Sequence, residues 1–253
     1  MSPNRHVNRG EGVSLRQAAL VAGLGYLFMP VTYAEFSILP KLVIPGNIAQ
    51  TIQNIAAHGK LFFVAILCYW ISFILDVVIA WALFILLAPV NRAFSLLTAW
   101  MRLIYTAGAL FALMNLITVY RLVTTPDYLT AFGAGPLEAQ VKLLLNSFRY
   151  DWSMALLIFG IHLVLLGCLI YRSGYIPRVI GLLLVIDGVG WLIDGLHPYL
   201  YPSAHLGFVF YTFFGELIFM LWLLIRGWKI REVGVDAETR SAYDGRTLSG
   251  SKA

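Results

Sequence analysis

Long apolar runs alternate along the chain with short polar connections. The runs extend from Ala18 to about Leu39, Leu61 to Ala88, Phe94 to Val123, Trp152 to Tyr171, Val179 to Tyr199 and Leu206 to Ile225. At 1.5 Å per residue, each can cross a hydrocarbon core of about 30 Å as a helix. None alternates apolar and polar residues as a barrel strand does, and lipid offers no partner to open backbone N–H and C=O groups. The pattern therefore predicts an all-α, polytopic integral membrane protein, a bundle of six transmembrane helices. Pro40, Pro45-Gly46, Pro89, Pro126, Gly174 with Pro177, and Pro198 with Pro202 fall at the predicted boundaries.

Two connections have a helical period of their own. Asn47 to His58 places Ile48, Thr51, Ile52 and Ile55 on one face, and Pro136 to Phe148 does the same with Leu137, Val141, Leu144, Leu145 and Phe148. Both are expected to be amphipathic helices lying on the outer interface, as caps on the bundle or as a substrate gate.

Composition agrees with a membrane setting. The 253 residues are 60% hydrophobic and 12% charged, and 18 Lys and Arg with 13 Asp and Glu cannot cover a water-facing globule of this size. That excludes a soluble enzyme. The net charge of +5 lies in short clusters between the runs, with no basic face interleaved with aromatics, so no nucleic-acid partner is expected. The main partner is the lipid bilayer.

The clusters also give an orientation. Arg5, Arg9, Arg16, Arg92, Arg172, Arg178, Arg226, Lys229 and Arg231 share one side, and Lys41, Lys60, Arg121, Lys142 and Arg149 the other, where connections are longer. The positive-inside rule then predicts a cytoplasmic-membrane protein with both termini inside. Residues 1–17 read as a cytoplasmic tail, 18–228 as the transmembrane domain and 229–253 as a disordered cytoplasmic tail. Thr32-Tyr33-Ala34 weakly imitates a signal-peptidase site, but the run continues past it, so the first span is expected to stay attached. Cys68 and Cys168 fall at different predicted depths, which disfavours a disulfide.

Polar residues inside the runs carry the chemistry. Glu35, Asp76, Asp187, Asp194 and Glu216 lie there with Arg102, His162 and Asn115. A charge at membrane depth is costly, so such residues face the interior and have partners. In an antiparallel hairpin, residues equally far from the turn lie at equal depth. Around Pro89-Val90 this sets Asp76 level with Arg102 and predicts a structural ion pair. Around Gly174-Tyr175 it sets His162 level with Asp187, and around Tyr201-Pro202 it sets Asp187 level with Glu216.

His162, Asp187 and Glu216 thus form a candidate ligand or proton site at the midplane. Two carboxyl groups in low dielectric cannot comfortably both ionise, so one is expected to hold a proton. His162 could relay that proton, orient a ligand, help coordinate a divalent cation, or simply satisfy Asp187 with a hydrogen bond. Asp194, one heptad beyond Asp187 with Trp191 between them, extends a polar track outward by about 10 Å. Haem ligation is disfavoured, because no other histidine lies at the depth of His162. A second set, Glu35, His58, His197 and His205, lies with Asp194 in the outer third; a metal there would need at least three of them to converge, and none is predicted. No GxSxG, HExxH, phosphate-binding loop or nucleotide fingerprint occurs, and no internal repeat.

Particular strings narrow the kinship. IHLVLLGCLIYRSGYIPR from Ile161 to Arg178, AEF at Ala34 to Phe36, LDVVIA around Asp76 leading into LLAPVNR, MRL around Arg102 and GELIFMLWLLIRGW around Glu216 resemble the bacterial membrane-protein family catalogued as domain of unknown function 4386. The resemblance covers nearly the whole chain apart from the tails. It implies a multi-helix membrane fold and no particular chemistry. The family pattern often has a His before the fourth helix where this chain has Phe148, so a family site there would be altered in this member.

Three functions stay open on these residues. One is a protein that binds or transports a small polar or cationic ligand, or protons, through His162, Asp187 and Glu216. Another is an intramembrane enzyme using a protonated carboxylic acid on a lipid or isoprenoid-like substrate, with aromatic side chains shaping the pocket. The third is a structural or assembly role in which the buried polar groups only hold helix register. No cofactor is specified. Gly181, Gly188 and Gly195, spaced by seven, allow close helix approach within or between chains, which leaves the oligomeric state open.

Overall fold

A computed structural model describes residues 13–128, 133–201 and 212–230. All regular structure among these residues is helical: α1 (Leu15–Leu27), α2 (Val31–Tyr33), a π-helical turn (Ala34–Ile38), α3 (Leu39–Leu42), α4 (Ile48–Ala57), α5 (Gly59–Leu87), α6 (Arg92–Thr124), α7 (Ala134–Ser173), α8 (Arg178–Leu200) and α9 (Phe214–Arg226). Five stretches are long and apolar enough to cross a membrane: Leu15–Leu42, Gly59–Leu87, Arg92–Thr124, Gly135–Ser173 and Arg178–Leu200. Of the expected sixth span, the described part is the 13-residue α9; residues 202–211, with His205 and Pro202, lie outside the described residues.

The long helices form a ring in chain order. α1 packs on α5, α5 on α6, α6 on α7, α7 on α8 and α8 on α9, and α9 closes the ring against α1. The Arg16 Nε–H donates to the carbonyl of Ile230 at 2.8 Å, which ties the two ends together. Large apolar side chains such as Trp70, Trp81, Trp100, Ile104 and Phe111 point outward and are exposed, as a lipid-facing surface requires.

Two expectations need correction. The first apolar run is not one helix. Pro30 lacks the N–H that would continue α1, so the chain breaks after Leu27 and resumes through α2 and the π turn. The Val31 N–H is taken up by Ser72 Oγ of α5 at 2.9 Å, and the Ser72 hydroxyl donates to the Cys68 carbonyl. A neighbouring side chain thus replaces the backbone bond lost at the break.

The second correction concerns residues 136–148. They do not form a separate helix but the first turns of the 40-residue α7. No Gly or Pro interrupts the chain between Leu137 and Phe159, so the polar Arg149-Tyr150-Asp151 triplet changes the surroundings of the helix without breaking it. At about 60 Å, α7 is twice the thickness of a hydrocarbon core. The predicted apolar face persists, with Leu137, Val141 and Phe148 buried. The 47–58 segment does form its own helix, α4, capped by Asn47 and burying Thr51 and Ile55.

The α7–α8 pair is the most extensive contact in the bundle, and glycine makes it so. A Cβ on Gly188 would lie 2.6 Å from the Gly160 carbonyl oxygen, and one on Gly181 would lie 2.7 Å from that of Gly167. The sevenfold glycine spacing therefore serves an approach within one chain. Both cysteines are free.

Candidate functional site

Each helix of the ring sends one polar side chain toward the middle: Tyr26 from α1, Asp76 from α5, Arg102 from α6, His162 from α7, Asp187 from α8 and Glu216 from α9. Arg102 is the hub, and only 1% of it is exposed. Its Nη2 and Nε donate to Asp76 Oδ1 at 2.5 and 2.9 Å. Its Nη1 donates to the Tyr26 hydroxyl at 2.8 Å and to His162 Nε2 at 3.2 Å. The guanidinium also lies over the Tyr26 and Phe159 rings, 4.9 and 5.5 Å from their centroids. Four of the five donors of an Arg side chain are committed to protein groups.

His162 is fully buried, and its partners fix its tautomer. Nδ1 lies 2.8 Å from the Thr98 carbonyl, which can only accept, whereas Nε2 faces a guanidinium, which can only donate. The proton therefore sits on Nδ1. The ring stacks on Phe159 at 5.8 Å. His162 thus makes its bonds to Arg102 and Thr98; the hydrogen bond to Asp187, one of the roles open to it, is not among them. The ring points toward α6, through Arg102 and the Thr98 carbonyl.

Asp187 and Glu216 form the other half of the centre. The Glu216 N–H donates to Asp187 Oδ2 at 3.2 Å, which brings both carboxyl groups to the α8–α9 contact. Glu216 also lies within electrostatic reach of Arg102 and Asp76. Asp187 has no exposed surface, yet its Oδ1 has no hydrogen-bond partner, and neither does the buried indole N–H of Trp191. That N–H lies close to both carboxyl groups and meets neither within hydrogen-bond limits. Phe159 meets the Trp191 ring edge-on at 6.0 Å.

The described members of the outer set do not gather at one point. Glu35, on the π turn, accepts a short hydrogen bond from the Tyr69 hydroxyl of α5. His58 lines a cavity of about 530 Å³ with Lys60 and Tyr120. His197 interacts with Asp194 on its own helix, and its ring lies 6.0 Å from that of Tyr201. His205 falls outside the described residues. Among the described residues no three His, Cys, Asp or Glu side chains gather as a metal site. Similar depth left the direction around each helix undetermined, and these groups point to different neighbours.

Several residues of the network were not singled out by the sequence. Tyr26 reads as one more aromatic in an apolar run, although its depth on the first helix matches the centre. Thr98 contributes through its carbonyl, which no side-chain pattern reveals. Asp151 accepts from Asn115 Nδ2 at 3.0 Å and so joins α6 to α7. Phe148, which the sequence did mark as a departure from the family pattern, packs against Tyr69 and Trp152, 5.6 and 5.9 Å between centroids, in an aromatic cluster beside Glu35. Outside the spans, the Tyr175 hydroxyl of the RSGYIPR stretch donates to the Leu86 carbonyl at 2.5 Å, and burial pushes its pKa up to about 12.

The fold and its centre define a class: a helical membrane protein whose successive helices surround a buried polar network. The chain belongs to the family described as Domain of unknown function (DUF4386), whose model matches residues 21–227 and so includes all six central side chains. An uncharacterized protein of the archaeon Archaeoglobus fulgidus is 34% identical over 163 residues, which cover 63% of this chain and 82% of that protein. No solved structure matches the chain.

Proposed function

We propose that this chain is a six-span protein of the cytoplasmic membrane, with both termini inside and α4 at the outer interface, that binds or carries a small polar or cationic ligand, or protons, at mid-membrane depth. The observation that carries this reading is the pairing of Asp187 with Glu216 in a buried position where Asp187 Oδ1 has no protein partner within hydrogen-bond limits. A purely structural polar group at membrane depth is normally satisfied by its neighbours. The Arg102 half meets that standard; the Asp187 half does not. A second reading, in which the buried network only fixes helix register, draws on the near-complete satisfaction of Arg102. The two are compatible if Arg102, Asp76, Tyr26 and His162 form the scaffold and Asp187 with Glu216 the binding face.

The test is native mass spectrometry of the gently extracted protein, followed by identification of released small molecules. Wild type should carry a bound species that Asp187→Asn and Glu216→Gln lose while remaining folded and monodisperse. Variants that retain the species fully, or a wild-type protein with neither a bound species nor proton uptake in liposomes that the two variants abolish, would contradict the reading.

A further inference from the structure

We infer that the face formed by Asp187, Trp191 and Glu216 holds a hydroxyl group, of a resident water or of a small alcohol, that donates to Asp187 Oδ1 and accepts from Trp191 Nε1. The inference rests on the ligand-binding reading and narrows the ligand's chemistry. Two unpartnered polar atoms of opposite kind lie one helical turn apart on α8, where side chains four residues apart share a face. One is an acceptor on a carboxyl group with no exposed surface; the other is a buried donor that cannot accept. Leaving either unmade in a dry interior is costly, and leaving both so close together doubles the incentive for an occupant.

The donor and acceptor pattern selects among occupants. An ammonium ion would satisfy Asp187 but would press its positive charge against the indole N–H. An anion would suit the indole but would face two carboxyl groups. A divalent metal needs more ligands than the described residues bring together here. Of these occupants only a hydroxyl both donates and accepts while staying neutral, so it matches both atoms without adding charge beside the Arg102 network. The surroundings hold the pair in place. Phe159 backs the indole, the Glu216 N–H fixes Asp187 through Oδ2, and Gly190, next to Trp191, lets Thr212 approach α8 closely.

The test uses the full chain in lipid nanodiscs with its indole nitrogens labelled with 15N, Trp191→Phe identifying the resonance. 1-Butanol is titrated against butylammonium as the charged control. A saturable shift of the Trp191 signal with 1-butanol alone, weakened about tenfold in Asp187→Asn through loss of one hydrogen bond, supports an alcohol ligand. A long-lived contact between the indole proton and water, with no response to the alcohol, supports a resident water. Asp187→Asn keeps an oxygen to accept the Glu216 N–H, so it preserves the local structure. A Trp191 signal indifferent to both water and alcohol overturns the inference. A cationic species that co-purifies with wild type, depends on Asp187 and leaves the Trp191 signal unchanged overturns the hydroxyl while upholding ligand binding. A resident water with no co-purifying species does the reverse.

Discussion

Arg102 donates through Nη1 to His162 Nε2 at 3.2 Å, and this bond, with the Nδ1–Thr98 carbonyl contact on the other side of the ring, makes His162 a bridge between two turns of α6. The imidazole is therefore held neutral, with its proton on Nδ1. Nitrogen-15 NMR of histidine-labelled protein should show one imidazole with Nδ1 protonated and Nε2 bare, a signal lost in His162→Phe. The same substitution should cost about 1–3 kcal/mol by leaving an Arg102 donor unmet. A doubly protonated ring would refute the bridge.

Breaking the hub should be far more damaging. Arg102→Ala strands the Asp76 carboxylate in the interior, and loss of one partner of a buried pair typically costs about 3–5 kcal/mol. Thermal unfolding in nanodiscs should show Arg102→Ala as the largest loss among single substitutions at the centre, with Arg102→Lys intermediate because an ammonium cannot reproduce the planar fork to Asp76, Tyr26 and His162.

Equal depth on neighbouring helices was readable because every residue of a helix advances by the same rise. That is why Asp76 meets Arg102, and why Asp187 meets the first turn of α9 at Glu216. Direction around the helix was not readable from a count. It sent His162 to Arg102 instead of Asp187, and it scattered Glu35, His58 and His197 among separate partners. Other features were hidden for different reasons. Pro30 sits between apolar residues on both sides, and nothing in the pattern separates Tyr26 from the lipid-facing aromatics. The length of α7 exceeded what any membrane-crossing argument demands.

The break in the first span makes its own prediction. Ser72 Oγ is the acceptor for the Val31 N–H, so Ser72→Ala leaves a buried donor unmet. A loss of about 1–3 kcal/mol is expected. Hydrogen exchange at Val31 should quicken much more than exchange in α1 itself. Uniform exchange across both segments would mean that the break is held elsewhere.

The α7–α8 contact tolerates no side chain at its closest points. Gly188→Val places new atoms against the Gly160 carbonyl and Val164, and Gly181→Val does so against Gly167 and Tyr171. Each should lower stability by about 1–3 kcal/mol or more through overpacking. Gly46, beside which nothing lies within 4 Å, has a positive φ of 77° and should respond to Ala through backbone strain alone. Melting curves of the three variants separate the two causes, since a larger residue than Ala should worsen the helix sites and leave position 46 little changed.

The account as a whole is tested most directly by an electron cryomicroscopy map of the protein in nanodiscs at a resolution that shows side chains and ordered small molecules. It predicts the Arg102 guanidinium in contact with Asp76, Tyr26 and His162, and non-protein density touching both Asp187 Oδ1 and Trp191 Nε1. A map in which these six helices send their polar groups toward different surfaces, or in which the Trp191 indole bonds directly to a carboxyl group with nothing between them, would contradict it.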